Sequence, residues 1–276
     1  MQTQTIGVIQ LAYPPAEAET AGWIAEAIPG ALTQAQRLWG LAPPADCRIY
    51  VMTSPVGFVY QSAPWIWRLA LGLAIPFWLG RVRRTWPISA AWTQRYGQRV
   101  AIGIKPPRLL EPDERALEIR RRIGQRIYVE QDDPKAKIQQ VTCHELVHAC
   151  SAHLRLPTWL NEGLATLTAD HLLLRPTIRK DTLDFVRDYQ PKAAPPSYRA
   201  LSRMDDEAIA YHGVRGYWLV RYLEAKYPGK LKHLISLHPD GAAIEAAIIR
   251  DHSMEPESFW AEIDDQVVDY LSNLRE

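Results

Sequence analysis

The sequence predicts an α+β fold, a small mixed sheet with helices first and a mostly helical half after it. Three observations predict it. Short β-branched and aromatic runs bounded by turn residues, such as "CRIYVMT" and "QRVAIGIKPP", occur only before about residue 110. From Lys135 onward apolar residues recur at helical spacing. The 276 residues contain no internal repeat and no low-complexity linker, and that length is enough to bury a core.

In chain order, "TIGVIQLAY" alternates weakly and reads as a strand. "AEAETAGWIAEAI" has helical periodicity, and "ALTQAQRLWGL" continues it after Pro29-Gly30. "CRIYVMT" (47–53) reads as a buried strand. Residues 55–92 form an apolar, tryptophan-rich insert. "QRVAIGIKPP" (98–107) resumes the sheet and stops at two prolines. "EPDERALEIRRRIGQRI" is an amphipathic helix with acids early and bases late, as the helix dipole favours. A helix is expected over about 135–153 and a second from near Asn161, with Asn161 or Thr158 as its cap. Later helices are expected near 178–189, 205–227, 229–238, 241–250 and 255–273. The organisation predicted is a lobe of residues 1–153 carrying the insert, then a helical lobe of residues 154–276.

Lys and Arg total 32 and Asp and Glu 31, so the net charge of +1 gives no overall pull toward nucleic acid. The local basic run "EIRRRIGQR" reads as the solvated face of a helix. Three cysteines, Cys47, Cys143 and Cys150, are too few and odd in number for a disulfide-stapled domain. The N-terminal stretch has no basic region followed by a long apolar one, so no secretory signal is expected. Together these predict a reducing compartment, most simply the cytoplasm.

The most informative stretch is "TCHELVHAC" (142–150). On a helix His144 and His148 point about 40° apart, so one metal ion can take both imidazoles. Glu145 lies on the flank of that face, where a carboxylate reaches a metal-bound water without binding the metal. Cys143, Leu146, Val147 and Cys150 point nearly opposite and form a core stripe, so the cysteines are small buried hydrophobes rather than ligands. A structural Cys/His zinc site on this helix would need side chains from opposite faces to converge. The next stretch, "LRLPTWLNEGLATLTAD", breaks at Pro157 and restarts as a helix bearing Glu162. Two histidines and one carboxylate leave a fourth position open for water, which is the catalytic arrangement. Gly163 beside Glu162 is expected to let this helix approach the first closely. His153 is turned away from the metal face, and Asp170 suits a supporting position better than a ligand position.

"HELVH" followed by "LPTWLNEGLA" resembles the gluzincin zinc metallopeptidases, and most nearly the peptidase MA-like domains. The resemblance implies a zincin-like fold and one zinc ion per chain held by His144, His148 and Glu162. It implies Glu145 as the general base of peptide-bond hydrolysis, and a peptide or protein as substrate. "RVAIGI" resembles the edge strand that lines the cleft in such enzymes, and "AYHGVRGYWLVRYLEAKYPG" (210–229) the helix after the active site. A donor to the oxyanion is expected from Tyr211, or failing that His212, near the start of that helix. A non-proteolytic, metal-bound binding or regulatory module is the alternative.

The insert carries one further expectation. Leu69 to Gly80 contains no charge, tryptophans stand at 65, 67 and 78, and Arg81, Arg83 and Arg84 follow. Aromatic flanks and a basic edge suit a membrane surface. The run falls short of the ~20 apolar residues of a span. Peripheral membrane contact through 65–84, or a flap over the catalytic cleft, is expected.

Overall fold

The computed structural model describes residues 1–68, 86, 89–110, 125–201, 203–238 and 240–274. They fall into two compact units. One comprises Met1–Thr33, Ala42–Arg121 and Gln131–Cys150, the other Gln34–Leu41, Arg122–Glu130 and Ser151–Glu276. The fold class is α+β, with the strands early and a helical second half.

The first unit is built on a five-stranded mixed sheet. Strands β1 (Gln2–Ile6), β2 (Ile9–Tyr13), β3 (Asp46–Val51), β4 (Ala91–Tyr96) and β5 (Arg99–Ile104) lie in the order β1-β2-β3-β5-β4. The parallel pairings β2–β3 and β3–β5 occupy the centre. There the near-continuous apolar runs "CRIYV" and "RVAIGI" are buried, as strands covered on both faces must be. Each edge is an antiparallel hairpin closed by a glycine with positive φ, Gly7 at 57° and Gly97 at 65°. "RVAIGI" is therefore an inner strand. The edge role expected for it belongs to β4.

Helix α1 (Ala18–Trp39) runs unbroken through Pro29, joining the helical pattern on both sides of it. Helix α2 (Pro55–Ser62) starts at Ser54, whose hydroxyl accepts from Gly57 N at 3.1 Å, with proline in the first turn. It buries Phe58 and Val59 against Tyr50, Met52 and Ala101, and Trp86 and Trp92 pack on the same cluster. The insert is thus partly ordinary core. Its stretch 69–85, and the amphipathic helix expected over 111–127 apart from a turn at Gln125–Ile127, lie outside the described residues. Helix α3 (Pro134–Ser151) begins where the Asp133 carboxylate accepts from Lys135 N at 2.9 Å.

In the second unit, α4 (Thr158–Leu173) follows Pro157 directly. Asn161 therefore lies inside the helix rather than capping it. The remaining helices are α5 (Thr182–Asp188), α6 (Tyr198–Leu201), α7 (Asp206–Lys226), α8 (Lys230–Leu237), α9 (Gly241–Asp251) and α10 (Pro256–Asn273). Apart from the short α6, they match the periodic segments read from the sequence, because apolar spacing and caps agree. Asp205 and Asp240, for example, each accept from the backbone N–H three residues on. Helices α4 and α7 cross at two glycines. A Cβ at Gly163 would lie 2.4 Å from Gly216 O, and one at Gly216 would lie 2.4 Å from Trp159 O. The small size of Gly163 thus serves the α4–α7 crossing, not an approach to the HELVH helix. Arg215 of α7 and Asp264 of α10, 1% and 2% exposed, form a buried ion pair at 2.7 Å. Among the described residues no helix is long and apolar enough to cross a membrane.

Candidate metal centre

Helix α3 presents the two faces that its sequence periodicity demands. Cys143, Leu146, Val147 and Cys150 are 0–2% exposed, and all three cysteines of the chain are free thiols. Cys47 and Cys150 are pushed up to about 12, chiefly by burial, which keeps them protonated and inert. On the other face His144, Glu145 and His148 are half-buried. The Nε2 atoms of His144 and His148 stand 3.0 Å apart with the rings at 89°. Two ring nitrogens directed at one point suit a shared proton or a shared metal ion.

Glu145 is held from the sheet. Thr93 Oγ1, on edge strand β4, donates to Glu145 Oε2 at 2.5 Å. This contact fixes a carboxylate one residue from a histidine of the pair. In the second unit, Glu162 is the fifth residue of α4, and Tyr198 donates to its Oε1 at 2.7 Å. The Tyr128 side chain is half exposed. Even so, burial of its hydroxyl end pushes its pKa up to about 12, and the Glu162 charge adds to the shift.

His144, His148 and Glu162 each offer one ligand atom, and these atoms lie within 4.8 Å of one another. The set fits a metal ion. Zinc takes nitrogen and oxygen ligands tetrahedrally at ~2.0–2.2 Å, so two ligand atoms on one ion are at most about 3.6 Å apart. The histidine pair already meets that limit.

The other site residues expected from the sequence lie elsewhere. Tyr211 is inside α7 and 0% exposed. Its hydroxyl donates to Asp264, and its ring stacks on Tyr189 at 4.1 Å. The expectation that it faces the site from a loop is corrected: the hydroxyl is committed within the core, and burial raises its pKa well above that of a free tyrosine. His212, also in α7, is half-buried with its Nδ1 unpartnered among the described residues. Burial, and then the Arg215 guanidinium, lower it to about 4, so it is a neutral imidazole near pH 7. Asp170 accepts from Thr177 N and from the Tyr217 hydroxyl, closing the end of α4 rather than supporting a metal ligand. His153 is exposed.

Sequence reasoning missed two residues that contact the site carboxylates, Thr93 and Tyr198. β4 could have been found from the hairpin signal "RYGQR" before β5. Tyr198, after "PKAAPPS", had no periodic signal to mark it. No family model, no curated protein and no solved structure matches the chain.

Proposed function

We propose that the protein is a zinc-dependent metallopeptidase of the gluzincin type, with a zincin-like arrangement and one zinc ion per chain. The reading is carried by one observation: the ligand atoms of His144, His148 and Glu162 gather within 4.8 Å while Glu145 flanks the same helix face. A pure binding role has no need of a base beside the metal. His144, His148 and Glu162 hold the ion, which when bound supplies a water of lowered pKa and a Lewis acid for the substrate carbonyl. Glu145 takes a proton from the attacking water and delivers one to the leaving amine. Thr93 holds the Glu145 carboxylate beside β4, an edge strand with no strand on its outer side among the described residues and so able to align an extended peptide.

Metal analysis and an unbiased peptide-library digest read by mass spectrometry test the proposal. Alanine at His144, His148 or Glu162 is expected to remove zinc. Alanine at Cys143 or Cys150 is expected to leave it bound, with only a packing cost. Glu145→Gln is expected to keep about one zinc per chain and lose cleavage. Stoichiometric zinc in the wild type with no hydrolysis across broad libraries would favour a non-proteolytic metal-bound module instead.

A further inference from the structure

The side chains around Glu162 form a directed chain of hydrogen bonds. Ser151 Oγ donates to Asn161 Oδ1 at 3.0 Å, Asn161 Nδ2 donates to Tyr198 Oη at 2.9 Å, and Tyr198 Oη donates to Glu162 Oε1 at 2.7 Å. The direction is fixed by the groups themselves. An asparagine whose oxygen accepts from serine turns its NH2 toward the tyrosine. A tyrosine oxygen that receives that donor turns its own proton toward the carboxylate. The chain ends on a group that only accepts, so every member is satisfied and each bond polarises the next. Asn161 can take this part because α4 begins at Thr158, which leaves its side chain unused for capping.

Tyr198 comes from 36 residues beyond Glu162, at the end of the proline-rich stretch "PKAAPPS". That stretch is anchored at its start. Arg215 Nη1 donates to Ala193 O at 2.5 Å, and Lys192 Nζ meets Asp265 Oδ1 at 2.5 Å. Arg215 is itself fixed by Asp264 and by Trp260 O at 2.8 Å. A buried guanidinium thus grips the carbonyl of the loop that delivers Tyr198.

We propose that Tyr198 is the positioning residue of the metal site. It orients the Glu162 carboxylate by donating to Oε1, and the Arg215–Asp264 pair holds the loop from which it does so. The inference rests on the metal-binding part of the reading above, not on proteolysis. General experience with groups that hydrogen-bond a metal ligand is that their loss weakens metal affinity about 10–100-fold.

The test is zinc affinity of the full chain by chelator competition, with cobalt(II) absorption as a second readout. Tyr198→Phe keeps the ring and removes only the hydroxyl. It is expected to bind zinc about 10–100-fold more weakly and to shift the cobalt(II) bands, while the metal-free protein melts as the wild type does. Ser151→Ala, at the far end of the chain, is expected to weaken zinc in the same direction by less. Wild-type affinity and an unchanged cobalt(II) spectrum in Tyr198→Phe would overturn the positioning role and leave the metal site standing. Failure of the wild type itself to bind zinc would instead remove the site and the proposal together.

Discussion

Replacing Gly163 by alanine is expected to destabilise the protein and weaken its metal site, although the same change inside a helix is ordinarily favourable. Helix propensity and the entropy of the unfolded chain favour alanine by roughly 1 kcal/mol. The α4–α7 crossing opposes this. The added Cβ would lie 2.4 Å from Gly216 O, 2.5 Å from Val220 Cγ2 and 2.9 Å from Gly216 C. The valine methyl can rotate away, but the Gly216 peptide can yield only if α7 moves by about 1 Å to restore ordinary contact. Overpacking costs ~1–3 kcal/mol, and a clash with helix backbone belongs at the upper end. The net loss is then about 1–2 kcal/mol, a fall in Tm of about 2–4 °C for a chain of this size. Gly213, in the same helix α7, is the control: nothing lies within 4 Å of a Cβ there, so Gly213→Ala is expected to raise Tm slightly. Because Glu162 precedes Gly163, displacement of α4 should also lower zinc affinity in Gly163→Ala and not in Gly213→Ala. Thermal melts by circular dichroism and chelator titration decide it. A Gly163→Ala protein that melts at or above the wild type would refute the reasoning.

Thr93→Val should lower kcat with zinc content and KM little changed, and Thr93→Ser should restore most of it; equal kcat in all three proteins would remove Thr93 from the site. His212 is depressed in the folded state, so between pH 6.5 and about 4 the unfolded chain binds the extra proton and stability falls as pH drops through that window. His212→Gln should flatten this slope in denaturant titrations, and an unchanged slope would argue against it. Trp65, Ile66 and Trp67 are 71%, 62% and 55% exposed at the head of the apolar run, so the protein should sediment with anionic vesicles, less so with serine at 65 and 67. Protein that stays in the supernatant with anionic and neutral vesicles alike would exclude the membrane contact.

The helices and inner strands were legible because their signals are local. "CRIYV" and "RVAIGI" are central and mostly buried, so they read as near-continuous apolar runs. The edge strands β1 "QTQTI" and β4 "AWTQRY" are polar or mixed and carry no such run, and neither was read as a separate strand. Helix α1 passes through Pro29. The apolar stripe on either side of it, with Ile24, Ile28, Ala31 and Ala35 at most 1% exposed, holds the helix together across the missing N–H.

The site divides along the same line. His144, Glu145, His148 and Glu162 lie on two consecutive helices, so an angular argument finds them. The residues that touch the carboxylates reach them across 52 positions for Thr93 and 36 for Tyr198, and no periodicity links such pairs. The choice of Tyr211 shows what local reasoning does decide. Ala208, Tyr211, Val214, Arg215 and Trp218 follow one another at helical spacing, and all are buried. A tyrosine on that stripe commits its hydroxyl to the core, here to Asp264, and has none left for a substrate. Tyr198, by contrast, opens the short, exposed helix α6 just after a proline-rich stretch, where a hydroxyl can serve a site instead of a core. The same reasoning gives Tyr211→Phe a cost in stability, through the lost acceptor–donor match at buried Asp264, and gives Tyr198→Phe a cost in metal binding.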